Sequence, residues 1–188
     1  MIDFVDDVFT LDKEYVKLLC KNIIREHLNI NWACTTRADL VDSELLNSME
    51  KSGLWHISFG IESGLENIRN LIGKGIPNAV FRKVFDLCRE MHIKTRAYGM
   101  LGHPTETIRD MEQTVEFIRS LRQDAFIIRL TDIIPGTRLF SQAFEDGLID
   151  EFVWRDYIAR KRPYPIYIPN GVRIEDIMRI LNKINIIK

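Results

Sequence analysis

The sequence has no apolar run near the roughly 20 residues that a membrane-spanning helix needs, which argues against a spanning segment. It is poor in cysteine. Cys20, Cys34 and Cys88 are the only three, 14 and 54 residues apart, so no CxxC or CxxxCxxC grouping exists. That excludes a disulfide scaffold and leaves no thiolate metal site to be read from spacing. An excess of one charge is missing too: 26 Lys and Arg stand against 27 Asp and Glu, for a net charge of −1. No overall field therefore draws the protein to nucleic acid or to an anionic membrane. The opening stretch, MIDFVDDVFTLDKE, is acidic and lacks the basic region of a secretory signal. The expectation is a cytoplasmic protein with a small-molecule substrate and no nucleic-acid or membrane partner.

What is present suits a packed domain: 188 residues, 46% hydrophobic and 28% charged. Short β-rich runs alternate with helical stretches. Strands are expected at Ile2–Val5, Asn31–Arg37, Trp55–Ile61, Lys94–Leu101 and Ala125–Ile134. Helices are expected at Asp12–Leu28, Asp42–Ser52, Asn78–Met91 and Ile108–Arg122. Asp42 is placed to cap one helix, Thr107 and Asp110 form a capping box on another, and Gly53 suits a left-handed helix end. Cys20 and Cys88 fall on apolar helix faces, as small core residues. Repeated βα units imply parallel strands with right-handed crossovers, hence an α/β fold, either doubly wound or part of a (β/α) barrel. Beyond about Gly147 the rhythm changes. Arg155–Pro169 reads as an extended, proline-rich strap, and a last amphipathic helix follows near Glu175–Ile186. The division expected is a barrel portion over 1–147 and an extension over 148–188.

Parallel strands buried on both faces read as continuous apolar runs. Here several do not. In Trp55–Glu62, one parity is Trp55, Ile57, Phe59 and Ile61; the other is His56, Ser58, Gly60 and Glu62. The first must pack under helices, so the second faces inward and ends on a carboxylate. The same split puts Arg37 with Thr35, Arg96 with Tyr98 and Met100, and Arg129 with Thr131. Unpaired interior charges are costly, so these residues form either a salt-bridge network or a wet ligand cavity. Their place toward the carboxyl ends of strands favours the cavity, where α/β folds bind ligands.

Four local patterns sit at strand ends. Phe4-Val5-Asp6-Asp7 carries two acids, of which one can face a ligand; a turn pair is the alternative. In Phe59-Gly60-Ile61-Glu62-Ser63-Gly64, Gly60 permits close approach to the backbone, while Glu62 and Ser63 offer an acceptor and a hydroxyl. Lys74, between Gly73 and Gly75, either returns to that mouth to meet a carboxylate or stays solvated. Gly99-Met100-Leu101-Gly102-His103-Pro104-Thr105-Glu106-Thr107 is a strand, a turn and a capped helix start, neither a Walker A loop nor GxGxxG. Ile134-Pro135-Gly136-Thr137 exposes backbone at the last strand's end. His27, His56, His92 and His103 have no metal-ligand spacing, and surface or core positions are expected for them.

The order of these motifs, FVDDxF, xTR, GIESG with a following GKG, GxLGxPxET and PGT, resembles the radical SAM superfamily. The branch it resembles contains Fe–S oxidoreductases related to the anaerobic magnesium-protoporphyrin ester cyclase, often with a cobalamin domain. The likeness covers about residues 1–145. It implies a partial (β/α) barrel that binds S-adenosylmethionine (SAM). Glu62 and Ser63 would meet the ribose or methionine part, and Lys74 the carboxylate. Gly102, Pro104 and Glu106 would lie near the adenine, with Pro135 and Gly136 as its wall. Asp7, Arg37, Arg96 and Arg129 would be further cofactor or substrate contacts. Arg37 stands where many relatives have an acid, and His103 and Thr105 also depart from the pattern.

The family's [4Fe–4S] cluster needs a CxxxCxxC loop, which this sequence lacks. The resemblance therefore implies strands two to six of a six-strand barrel, with the first βα unit outside this chain. An intact parent would cleave SAM reductively to a 5′-deoxyadenosyl radical; this chain alone would be inactive, and cobalamin would come from another domain. The open sheet edge would invite a dimer. The alternative is a non-catalytic remnant or partner-binding α/β module. A hydrolase or dehydrogenase would need GxSxG or GxGxxG, and neither is present.

Overall fold

A computed structural model describes residues 1–185, so Ile186 of the expected last helix lies outside the described residues. The elements are β1 (Ile2–Phe4), α1 (Lys13–Arg25), β2 (Trp32–Thr36), α2 (Ser43–Lys51), β3 (Leu54–Glu62), α3 (Glu66–Leu71) and α4 (Asn78–Glu90). They continue with β4 (Lys94–Leu101), α5 (Ile108–Ser120), β5 (Ala125–Leu130), α6 (Arg138–Glu145), α7 (Val153–Ile158) and α8 (Ile174–Asn185). The fold is α/β: five parallel strands in the order β1-β2-β3-β4-β5, with flanking helices. Among the described residues no helix is long and apolar enough to cross a membrane.

The expected caps form. Asp42 accepts the Leu45 N–H at 2.9 Å, and Thr107 and Asp110 exchange backbone hydrogen bonds at the start of α5. Gly53 ends α2 at φ +99°, where a Cβ would fall 2.0 Å from the Ile30 carbonyl oxygen. The expected parities appear in β3 and β4 but not in β5, where Arg129 is exposed rather than facing inward with the buried Thr131. β4 alternates buried Thr95, Ala97 and Leu101 with half-buried Arg96, Tyr98 and Met100. In β3, Ile57, Phe59 and Ile61 are buried, but Trp55 at the strand's start is exposed and lies against the His56 ring.

Three expectations need correction. β5 stops at Leu130 rather than Ile134; past it the chain bridges the strap instead, with Tyr167 donating to the Thr131 carbonyl, Ile133 to the Pro165 carbonyl, and Asp132 paired with Ile166. The strap begins as helix α7, held by Trp154, whose indole donates to the Ile133 carbonyl at 2.7 Å and packs edge-on against Tyr157 and Tyr164. Helix α3, too short to show periodicity, follows the GIESG motif directly.

The chain forms two compact units: Met1–Gly99 with Glu112–Ile128, and Met100–Met111 with the chain from Arg129 onward. The first holds the main core. Trp32 is its largest fully buried side chain, packed on Phe4 and Phe9, with its indole N–H donated to the Ser52 carbonyl. Cys20, Cys34 and Cys88 are buried and free. Burial pushes the Cys34 thiol up, and that of Cys88 to about 12. In the second unit Ile133, Ala143 and Tyr167 form a small core.

Helix α5 crosses the end of β3 so closely that Gly64 has no room for a side chain. A Cβ there would sit 2.8 Å from the Phe117 Cβ and 2.8 Å from the Thr114 Cα, and backbone cannot step aside. Gly64→Ala is expected to destabilise the protein by about 1–3 kcal/mol, as overpacking does. An unchanged urea midpoint would show that the helix yields.

Candidate functional site

At the exit of β3 the strand bulges. Gly60 pairs with Tyr98 but Glu62 with Gly99, leaving Ile61 as the extra residue. Glu62 then takes φ +65°, a left-handed conformation that costs a non-glycine residue on the order of 1–2 kcal/mol. The turn brings its carboxylate back over Gly60, where it accepts a hydrogen bond from the Lys74 ammonium at 2.6 Å. A Cβ on Gly60 would lie 2.6 Å from both charged atoms. The glycine is therefore the floor on which the pair rests. The two side chains are 22% and 15% exposed, dry enough to strengthen a charge-assisted bond but open to an incoming molecule.

Ser63 does something other than expected. Its side chain is fully buried, hydrogen-bonded to the Thr114 hydroxyl at 3.1 Å and accepting the Leu65 N–H, so the hydroxyl is committed to packing β3 against α5. Beneath it lies Arg69, also fully buried, between the rings of Phe81 and Phe117. Its guanidinium donates to the carbonyls of Ser63 and Ile76 and to the Asn78 side chain. Burial pushes its pKa down. Arg37 binds Asp39 through two hydrogen bonds and reaches the Lys74 carbonyl at 3.3 Å, so it supports the lysine's loop. Arg69, Thr114 and Asn78 escaped the sequence reading. Of α3 only Ile68 and Arg69 are buried, among exposed Glu66, Asn67, Asn70 and Leu71, so sequence alone gives Arg69 no signal.

The remaining candidates scatter. Asp7 is exposed in a turn after β1. Arg96 is half-buried on β4 and donates to the Tyr98 hydroxyl at 3.4 Å. Its charge, after burial, helps push the His56 pKa down. Cys20, Cys34 and Cys88 lie in separate elements, and among the described residues no three His, Cys, Asp or Glu are grouped to hold a metal. The thiols present do not fit an iron–sulfur cluster.

In the second unit, Gly102 and His103 donate their backbone N–H groups to one Glu106 oxygen at 2.7 and 3.0 Å. The carboxylate thus ties the turn to itself. Gly102 is at φ +90°, with room for a Cβ only 3.0 Å from the Tyr167 carbonyl oxygen. Pro104 and Glu106 line a cavity of about 310 Å³ with Thr105, Gln142, Tyr167 and Asn170. Pro135 and Gly136 form an exposed turn before α6, Gly136 at φ +81°, and Arg129 is exposed on β5.

Glu106 is 1% exposed, and among the described residues its second oxygen has no hydrogen-bond partner. Burial raises its pKa from an ordinary 4.5 to about 7, against the opposing pull of the two N–H donors. The fold therefore favours the protonated acid. That preference is fully present below about 4.5 and lost as pH rises through about 7. Between pH 5 and 8 the wild type is expected to lose up to about 3 kcal/mol relative to Glu106→Gln, by the free energy of such a shift. Urea unfolding of both proteins across that window checks this, and a difference independent of pH would contradict it.

Comparison with known proteins places this geometry in context. The Radical SAM superfamily matches residues 2–118. An uncharacterized methyltransferase of Pyrococcus horikoshii is 30% identical over 156 residues, 83% of this chain and 34% of the relative. The anaerobic magnesium-protoporphyrin IX monomethyl ester cyclase of Rubrivivax gelatinosus is 26% identical over 169 residues, 89% of this chain and 30% of the relative. This chain thus spans about a third of the length of these curated relatives. Among solved structures, the radical SAM methyltransferase TsrM of Kitasatospora setae, with cobalamin and a [4Fe–4S] cluster bound, is similar at a TM-score of 0.68. The likeness covers 77% of this chain and 30% of that one at 18% identity, and shows a shared fold. The sequence match over more than half its length shows that the chain belongs to the radical SAM superfamily, whose members carry out SAM-dependent radical chemistry.

Proposed function

We propose that this chain is the SAM-binding portion of a radical SAM enzyme and that Glu62 and Lys74 hold the amino-acid end of SAM. The observation that carries the reading is the Glu62–Lys74 pair, 2.6 Å apart over Gly60 at the exit of β3. The amino-acid end of SAM is a zwitterion. A carboxylate and an ammonium presented side by side are its electrostatic complement. On binding, Lys74 donates to the ligand carboxylate, and Glu62 accepts from its ammonium or from a ribose hydroxyl. Each charge trades one partner for another of the same sign, so none is left bare in a half-dry site. Position supports this as well, since α/β folds bind ligands at the carboxyl ends of their strands.

When bound, SAM supplies the radical chemistry of the family. This chain's residues bind and orient it: Gly60 leaves the space, Glu62 and Lys74 supply the charges, and Arg37 braces the Lys74 backbone. No cluster step is assigned to these residues, because the cysteines are buried in three separate elements, and the chain by itself is inactive in this reading. Oxidoreductase or methyltransferase-like activity, and any use of cobalamin, belong to the whole protein.

Calorimetric titration with SAM tests the assignment. Lys74→Met is expected to weaken binding at least tenfold, about 1.4 kcal/mol. Gly60→Ala is expected to weaken it similarly with little change in thermal midpoint, since the added methyl displaces only the flexible ends of two side chains. No heat at millimolar SAM, or equal affinity in Lys74→Met, removes the site.

A further inference from the structure

Arg69 is an expensive residue to bury. Its guanidinium is wholly out of water, and its nearest carboxylate, Glu66, is 3.9 Å away and half exposed. With only a half-exposed carboxylate as its anion, such a buried charge is costly, and an apolar side chain between Phe81 and Phe117 would serve the core more cheaply. What an apolar side chain would not supply is the planar fork of N–H donors. Nε donates to the Ile76 carbonyl at 2.8 Å, one terminal nitrogen to the Ser63 carbonyl, and the other to Asn78 Oδ1 at 2.6 Å. Asn78 in turn donates to the Gly64 carbonyl at 3.2 Å.

These acceptors stand at the two ends of the segment that holds α3 and the glycine turn after it. Ser63 and Gly64 leave β3 immediately after Glu62, and Ile76 and Asn78, two and four residues after Lys74, lead into α4. The Arg69 carbonyl grips the middle, accepting the N–H groups of Lys74 at 2.8 Å and Gly75 at 3.4 Å. The loop between needs such ties. Gly73 and Gly75 take φ +76° and +52°, and nothing lies within 4 Å of where a Gly73 side chain would be. Left to itself, a Gly-Lys-Gly turn would spread Lys74 over many positions.

We propose that Arg69 is a positioning residue for the ligand site: it closes the loop from Ser63 to Asn78 so that Lys74 is held over Glu62. The inference rests on the reading of the Glu62–Lys74 pair as the place where the ligand's amino-acid end binds. Arginine, unlike lysine, satisfies three acceptors lying in different directions with one rigid group. The charge is retained for that geometry, and the two flanking rings exclude the water that would compete for the same acceptors.

The test uses the full chain with Arg69→Met, Asn78→Ala, and the double variant Arg69→Met with Lys74→Met, checked for folding by circular dichroism. Two readouts are taken below the thermal transition. One is trypsin cleavage of the Lys74–Gly75 bond relative to the Arg122–Gln123 bond, an exposed turn of the same unit that Arg69 does not touch. The other is the SAM dissociation constant. In Arg69→Met, relative cleavage at Lys74 is expected to rise at least tenfold and SAM affinity to fall at least tenfold. Adding Lys74→Met should then cost less than twofold more, because the lysine's contact is already lost. A purely structural Arg69 would lower the thermal midpoint and leave relative cleavage at Lys74 unchanged, which would overturn the proposal. Additive losses of affinity in the double variant would overturn it too. If Arg69→Met does not fold, Asn78→Ala decides the same way: faster relative cleavage supports the proposal, and no change sinks it. If the wild type fails to bind SAM, the ligand reading falls, and the cleavage ratio alone decides the role of Arg69.

Discussion

A guanidinium without water must find oxygen atoms, and that requirement fixes the path of the chain around Arg69. Its partners come from the strand exit before α3 and the segment after it: the carbonyls of Ser63 and Ile76 and the Asn78 side chain. Once Ser63 and Ile76 converge on one side chain, the residues between them have little freedom in where to go. The position of Lys74 over Glu62 follows from this closure as much as from the attraction between the two charges. A pair 2.6 Å apart at a partly wet surface carries modest net energy; its geometry is set by the buried network beneath it.

The regular part of the fold was legible because it depends on local rules. Side-chain alternation in β3 and β4, the Asp42 cap, the Thr107–Asp110 box and the left-handed Gly53 are all decided within a few residues of sequence. The return of Lys74 to a carboxylate was visible as an option, since two glycines flank it. Ser63 shows where such reading stops. A hydroxyl at a strand exit suits a ligand and a helix contact equally, and its partner, Thr114, lies 51 residues away. Arg69 was hidden for a related reason. On a six-residue helix a buried arginine looks like a solvated one until the two rings that enclose it are brought in from α4 and α5.

Two glutamates near strand exits sit in different surroundings. Glu62 accepts a hydrogen bond from the Lys74 ammonium in a partly exposed mouth. Glu106 has two N–H groups and no cation among its hydrogen-bond partners, and burial lifts its pKa to about 7. Near neutrality the Glu106 carboxyl is a structural tie that changes charge. Their sequence contexts, each a few residues after a glycine at the end of a strand, carry no hint of this division.

The same logic limits what this chain's cysteines do. A cluster ligand must be a thiolate, and a thiolate needs cations, N–H donors or metal nearby to be stable. Cys34 and Cys88 instead lie in apolar surroundings that push their thiols upward, and Cys20 sits on the buried face of α1. They fill volume. In the proposed reading this chain holds a small zwitterion, and there the Glu62–Lys74 pair has an advantage over two separate charges. An isolated lysine in a half-buried mouth would carry its desolvation cost whenever the ligand was absent. Paired, both groups are neutralised before binding and again after it, so the mouth remains folded when empty. The free energy of binding then reflects the difference between two well-made ion pairs rather than the full cost of drying one.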